Sequence, residues 1–159
     1  MKNCKLIIAA ILVFGVFFTS CKKDLANSEL TLDLTKTANI TVKVRYLKDV
    51  NSASYTTIPS GKMVTLKIYN SDFTDLDASG YWSTIVNTDA SGNITATVPA
   101  TIDGVDVIVQ VQAFQDTQVD FSDDVINGFY SASEVTTNLK IGDDKVVGIT
   151  MDFTDPNGK

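Results

Sequence analysis

Apolar and polar residues alternate with a period of two in segment after segment of this chain, and that pattern fits a half-buried β-strand and little else. "NITVKVRY" (39–46) places Ile40, Val42, Val44 and Tyr46 on one face, with Thr41, Lys43 and Arg45 on the other. "MVTLKIY" (63–69) sets Val64, Leu66 and Ile68 against Thr65, Lys67 and Tyr69, and "ITATV" (94–98) aligns Ile94, Ala96 and Val98. "VDVIVQVQAF" (105–114) predicts one long strand burying Val105, Val107, Val109, Val111 and Ala113. "LTLDL" (30–34) aligns Leu30, Leu32 and Leu34. Towards the end of the chain, Val135, Leu139 and Ile141, then Val147, Ile149, Met151 and Phe153, are expected inside. "YWSTIV" (81–86) also reads as a strand, without an assignable buried face.

Turn chemistry falls between these segments. "TDASGN" (88–93) places Gly92 where a positive φ is needed, "TIDG" ends at Gly104, and "GDD" (142–144) is expected to close a final hairpin. Pro59 and Pro99 sit at segment edges, where a missing amide hydrogen matters least. No stretch carries a helical period over 11 or more residues. The expected fold is all-β: an antiparallel β-sandwich of seven or eight strands over residues 29–155.

The first 20 of the 159 residues read differently. Lys2 and Lys5 precede an unbroken apolar run, Leu6 to Phe18, followed by the small residues Thr19 and Ser20; this is a secretory signal pattern, too short for a comfortable membrane span. "FTSC" (18–21) resembles the lipobox of bacterial lipoproteins. The resemblance implies cleavage before Cys21 and a thioether to diacylglycerol on its sulfur. Cys4 leaves with the leader, so Cys21 has no partner for an internal disulfide. Residues 21–28 then form a short tether, and the expected location is the outer membrane, facing periplasm or exterior.

A second resemblance covers residues 58–111, where a strand, "TDASGN" and a strand ending in "VPA" follow one another. This part is similar to the prealbumin-like sandwiches of carboxypeptidase-regulatory-like and collagen-adhesin B-type domains. It implies a module more than an activity, since many such domains are stalks, spacers or binding units. Some adhesin domains carry a lysine–asparagine crosslink beside a buried acid, but Lys43 and Lys67 both fall on the polar faces of their strands.

The candidate sites lie in loops. "DLDASG" (75–80) begins like a calcium loop, with oxygens from Asp75 and Asp77 and a glycine at position six, but position twelve is Val86 instead of the bidentate Glu. The acidic stretch 116–124 lacks the glycine as well, so no metal is expected. Tyr81 and Trp82 follow the first loop and are the best pair for stacking on a sugar, with Tyr55 and Tyr130 as further candidates.

Composition narrows the function classes. The chain has 13 Lys and Arg against 19 Asp and Glu; loss of Lys2 and Lys5 with the leader brings the net charge from −6 to about −8, which disfavours nucleic acid. There is no histidine, the mature thiol is committed to lipid, and the two glutamates, Glu29 and Glu134, are far apart. The usual nucleophile–base pairings are therefore missing, and the expectation is a non-enzyme without cofactor. It would bind membrane lipid through Cys21 and a glycan or protein partner at the envelope. The alternative is a structural or assembly subunit of a surface complex, pairing through an edge strand.

Overall fold

The structure is a computed structural model that describes residues 32–74 and 79–156; Cys21, Asp75 and Asp77 lie outside the described residues. Among the described residues there are ten strands, one 3-10 turn (Asn70–Phe73) and no α-helix. In chain order the strands are β1 (Thr37–Asp49), β2 (Ser54–Thr57), β3 (Met63–Tyr69), β4 (Tyr81–Asn87), β5 (Asn93–Pro99), β6 (Val105–Val111), β7 (Phe114–Val119), β8 (Val125–Ser131), β9 (Val135–Leu139) and β10 (Asp144–Thr154).

The expected all-β class holds, and the strands form two sheets. One has the order β4-β3-β6-β9 and is antiparallel throughout. The other is organised around β1. Strand β10 runs parallel to it along Asn39–Tyr46, while β5 (against Thr37–Lys43) and β2 (against Arg45–Asp49) share its other side. Strand β8 pairs with the end of β10, β7 pairs with β8, and β7 returns to β1 at Asp49 opposite Val119. Strands β1, β10, β8 and β7 therefore close a ring.

The alternating pattern explains the core. Ile40, Val42, Val44, Ile94, Val98, Ile149 and Met151 from one sheet, and Val64, Leu66, Ile68, Val105, Val107, Val109 and Leu139 from the other, are buried in one cluster. Burying each of these side chains stabilises the fold by about 1.5–3 kcal/mol before chain entropy is counted. The exchange of β5 for β2 beside β1 happens at Gly92. The Val44 amide donates to the Gly92 carbonyl (3.1 Å), and the Ile58 amide donates to the Val44 carbonyl (3.2 Å). Gly92 has φ +70°, and a Cβ there would lie 2.9 Å from Thr57 Cβ and 3.1 Å from the Val44 oxygen. The expected positive φ is present, and close packing adds a second reason for glycine.

Several expectations are corrected. Leu34 sits in a turn and is 64% exposed, so no strand runs through 32–34; Leu30 is outside the described residues. The segment 105–114 is not one strand, because Val111 and Phe114 are both buried while Ala113 is exposed. This odd-numbered step between buried positions breaks the period of two, and the chain crosses there from the four-stranded sheet to the six-stranded one. Residues 116–124 are not a loop: Phe114–Val119 is strand β7, and Asp120–Asp124 is the tight turn into β8.

"GDD" closes no hairpin either. Strand β9 belongs to one sheet and β10 to the other, so the turn is a crossing, and Ile141 beside it is exposed. The six-stranded sheet is consequently mixed, because β1–β10 and the β1–β7 bridge are parallel. The strand count is ten among the described residues, above the seven or eight expected, because β2, β7 and β8 carry too little clean alternation to be read.

Candidate functional site

A cluster of aromatic rings and hydrogen-bonded polar groups joins the four strands of the closed ring. Each of the four ring strands sends in one aromatic residue: Tyr46 from β1, Phe114 from β7, Tyr130 from β8 and Phe153 from β10. Tyr130 is central, with ring centroids at 4.5 Å (Tyr46, edge-on), 5.3 Å (Phe114, stacked) and 5.1 Å (Phe153). Gly128 allows this closure, since a Cβ there would come within 2.6 Å of the Phe153 ring and 2.5 Å of the Thr154 oxygen.

Both phenols are committed. Tyr46 donates to Asp116 Oδ2 (2.7 Å), and Tyr130 donates to the Leu47 carbonyl (2.8 Å), which also accepts from Gln118 Nε2 (2.7 Å). Lys48 Nζ lies 3.3 Å from Asp116 Oδ2. Burial, helped by the Asp116 charge, pushes Tyr130 up to about 12. Burial and the Asp116 hydrogen bond raise Tyr46 as well. Burial pulls Asp116 up, but the Tyr46 hydroxyl, the Thr117 amide and the Lys48 ammonium outweigh it and leave the carboxyl below its ordinary value. Across neutral pH the tyrosines stay protonated and Asp116 stays ionised, so the cluster holds the ring shut. Tyr130, expected as a sugar-stacking ring, is 0% exposed and cannot serve as one.

The outward face of the four-stranded sheet is different. Tyr69 and Tyr81 are directly opposed across β3 and β4, both exposed, with Lys67 Nζ 5.2 Å from the Tyr81 centroid. Further along the same two strands lie exposed Ile85 and Met63. Tyr81 and Trp82 do not act as a pair. Adjacent strand residues point to opposite faces, so Tyr81 is 57% exposed, whereas Trp82 sits opposite Ile68, half-buried against the core. Tyr55, on β2, is exposed and lies under the Arg45 guanidinium, 4.5 Å from its carbon.

The stem carrying Asp75 and Asp77 is described although they are not. Asn70 Nδ2 donates to the Ser79 carbonyl (3.0 Å), the Asn70 amide donates to the Gly80 carbonyl (3.1 Å), and Asp72 Oδ2 accepts the Asp106 amide (3.0 Å). In the second acidic stretch the carboxylates serve the turn. Asp120 Oδ1 accepts from the Ser122 and Asp124 amides, and Asp123 Oδ1 accepts from Asn51 Nδ2. Among the described residues, no group of three or more His, Cys, Asp or Glu is arranged to hold a metal ion.

Sequence reasoning misses Tyr69 as the partner of Tyr81, because pairing β3 with β4 requires the register. It also misses a cleft on the six-stranded sheet, whose lining includes Lys43, Arg45, Thr57, Asn93, Gly148 and Thr150. The alternation of β1 places Lys43 and Arg45 together on the solvent side, and that is the available signal.

No family model and no curated protein matches the chain. Among solved structures it is similar to the crystal structure of the major plantain pollen allergen Pla l 1, at 12% identity and a TM-score of 0.35, covering 76% of this chain and 98% of the allergen.

Proposed function

We propose that this protein is a non-catalytic bacterial lipoprotein, held at the outer membrane by diacylglycerol on Cys21, whose prealbumin-like β-sandwich is a recognition module for a glycan or protein of the cell envelope. The leader and "FTSC" support the anchor, and a chain without histidine lacks the commonest general base. The observation that carries the recognition role is the opposed, exposed pair Tyr69 and Tyr81 with Lys67 beside it. Two exposed tyrosines at facing positions of neighbouring strands give apolar contact area together with hydroxyls, the combination used on sugar faces and at protein interfaces.

The test is a binding screen against envelope polysaccharides with the wild type, Tyr81→Ala and Tyr69→Ala. Each change is expected to weaken binding about tenfold while leaving the melting temperature in place, since substitutions of exposed residues rarely shift stability by more than ~0.5 kcal/mol. Unchanged binding by both variants would sink the reading. Acylation of Cys21 is read separately by mass spectrometry.

The assembly alternative draws on β4 itself. It is an end strand of its sheet, and "YWSTIVN" carries no charge and no proline, the devices that usually guard an edge. An Ile85→Lys change would abolish strand pairing with a partner subunit and leave stacking at Tyr81 intact.

A further inference from the structure

The outward face of the six-stranded sheet holds a cleft of about 440 Å³ that the recognition reading does not use. Its floor follows from strand register. Two cross-strand rows meet on β1: Asn93, Lys43 and Gly148 in one, and Thr57, Arg45 and Thr150 in the next. Lys43 and Arg45 are two residues apart on one strand, so both cations stand on the same side, separated by about 7 Å at the backbone.

Three features distinguish this place from an ordinary solvated strand face. The first is charge. Acids outnumber bases by 19 to 13 in this chain, yet no carboxylate lines the cleft. The ion pairs among the described residues are Asp33–Lys36 and Asp116–Lys48, so neither Lys43 nor Arg45 is neutralised by one.

The second is orientation. Arg45 Nε donates to Thr150 Oγ1 (3.3 Å), and its guanidinium carbon lies 4.5 Å from the Tyr55 centroid. One edge of the fork is fixed by a hydroxyl and one face by a ring, so less side-chain freedom is lost when a ligand meets the remaining donors.

The third is Gly148. Its φ is not in the left-handed region, and a Cβ there would meet nothing within 4 Å. Neither turn geometry nor packing calls for glycine, and glycine inside a strand is destabilising relative to alanine. What its missing side chain does is keep the space in front of Lys43 open.

We propose that this cleft binds the carboxylate of an acidic saccharide unit. The Arg45 fork matches a planar carboxylate, and Lys43 supplies the second cation. The Thr57, Ser91 and Thr150 hydroxyls and the Asn93 amide, which line the same cleft, meet the ring hydroxyls. The volume falls within the range of small-molecule sites and suits one or two sugar rings. One charge per unit also suits a domain that is itself acidic, where a dense polyanion would be repelled.

The experiment uses the full chain in mild detergent and trigalacturonate as the probe, followed by calorimetry at low and moderate salt. Saturable binding is expected, weakened about tenfold by Arg45→Gln and weaker in higher salt. Gly148→Leu keeps both cations and the sheet but fills the cleft, so it is expected to abolish binding without lowering the melting temperature. Lys43→Gln gives a second charge variant should Arg45→Gln fold poorly. The proposal is overturned if trigalacturonate does not saturate, or if neutral galactotriose binds equally well. It is also overturned if inorganic phosphate or an oligoaspartate peptide binds more tightly, or if Gly148→Leu binds like the wild type. Tyr81→Ala, on the other sheet, should leave this binding unchanged, so failure here and failure of the aromatic-face reading are told apart.

Discussion

Replacing Tyr130 by phenylalanine tests whether the ring of β1, β10, β8 and β7 is held shut by its buried phenol. The side chain is 0% exposed, and its hydroxyl donates one 2.8 Å hydrogen bond to the Leu47 carbonyl. Phenylalanine keeps the contacts to Tyr46, Phe114 and Phe153. The Leu47 oxygen still accepts from Gln118 Nε2, so no carbonyl is orphaned. The expected loss at pH 7 is therefore about 1 kcal/mol, the ordinary net worth of one hydrogen bond.

The pH dependence is more diagnostic. Tyr130 titrates near its ordinary value of 10.0 in the unfolded chain and is pushed up to about 12 in the folded one. A raised folded value means a contribution that is fully present below pH 10 and is lost as pH rises towards 12. At about pH 11 the wild type should have lost roughly 1 kcal/mol through this residue, and Tyr130→Phe none of it. Tyr46 is raised as well, mainly by burial and by Asp116, which both proteins share; only the smallest of its causes, the Tyr130 charge, is lost in the variant. Urea unfolding followed by circular dichroism at pH 7, 9, 10 and 11 should therefore show a gap of about 1 kcal/mol that closes by pH 11. A gap that stays constant or widens with pH would refute the reasoning, because the phenol would then not be held neutral by its surroundings.

Three other substitutions probe the same fold. Gly128→Ala should destabilise by about 1–3 kcal/mol or more, since the new methyl meets the Phe153 ring and the Thr154 carbonyl; loss of near-ultraviolet dichroism from the aromatic cluster would report it. Asp116→Asn should flatten the acid limb of the stability curve. The depressed carboxyl contributes stability above its ordinary value of 3.8 that is lost as pH falls through the folded value, and acid titration of both proteins measures the difference. Trp82→Ala should cost about 2–4 kcal/mol in thermal unfolding, against ~0.5 kcal/mol or less for Tyr81→Ala, because only the tryptophan packs on the core.

Much of the fold is legible in the amino-acid pattern, and the illegible parts have identifiable causes. Strands β1 and β3 and most of β5, β6 and β10 bury the residues that their alternation assigns to the core, with Ala96 of β5 half-buried against it. Strands β7 and β8 are hidden, because the polar residues of "FQDTQV" and "VINGFYS" leave only one or two buried side chains each. The break after Val111 has a signal in the phase slip from Val111 to Phe114, but one out-of-phase aromatic reads equally well as a two-sided strand. Of the candidate site residues, Tyr81 is exposed and Trp82 turned inward, a separation that strand parity dictates once β4 is placed. Lys43 and Arg45 face solvent as the alternation of β1 predicts, while their cleft depends on Gly148 and Thr150, more than 100 positions later.

The sequence by itself determined which residues face inward along each well-patterned strand, since period-two burial is a local property of one extended segment. It also shows the apolar run Leu6–Phe18 and Cys21 just after it, a pattern carried by the order of neighbouring residues. Only the tertiary structure decided which strands are neighbours: that β10 lies parallel to β1, that β9 and β10 belong to different sheets, and that four aromatics from four strands meet in a closed ring. Pairing is settled by long-range register and by how side chains fill the shared interior, and no single segment carries that information.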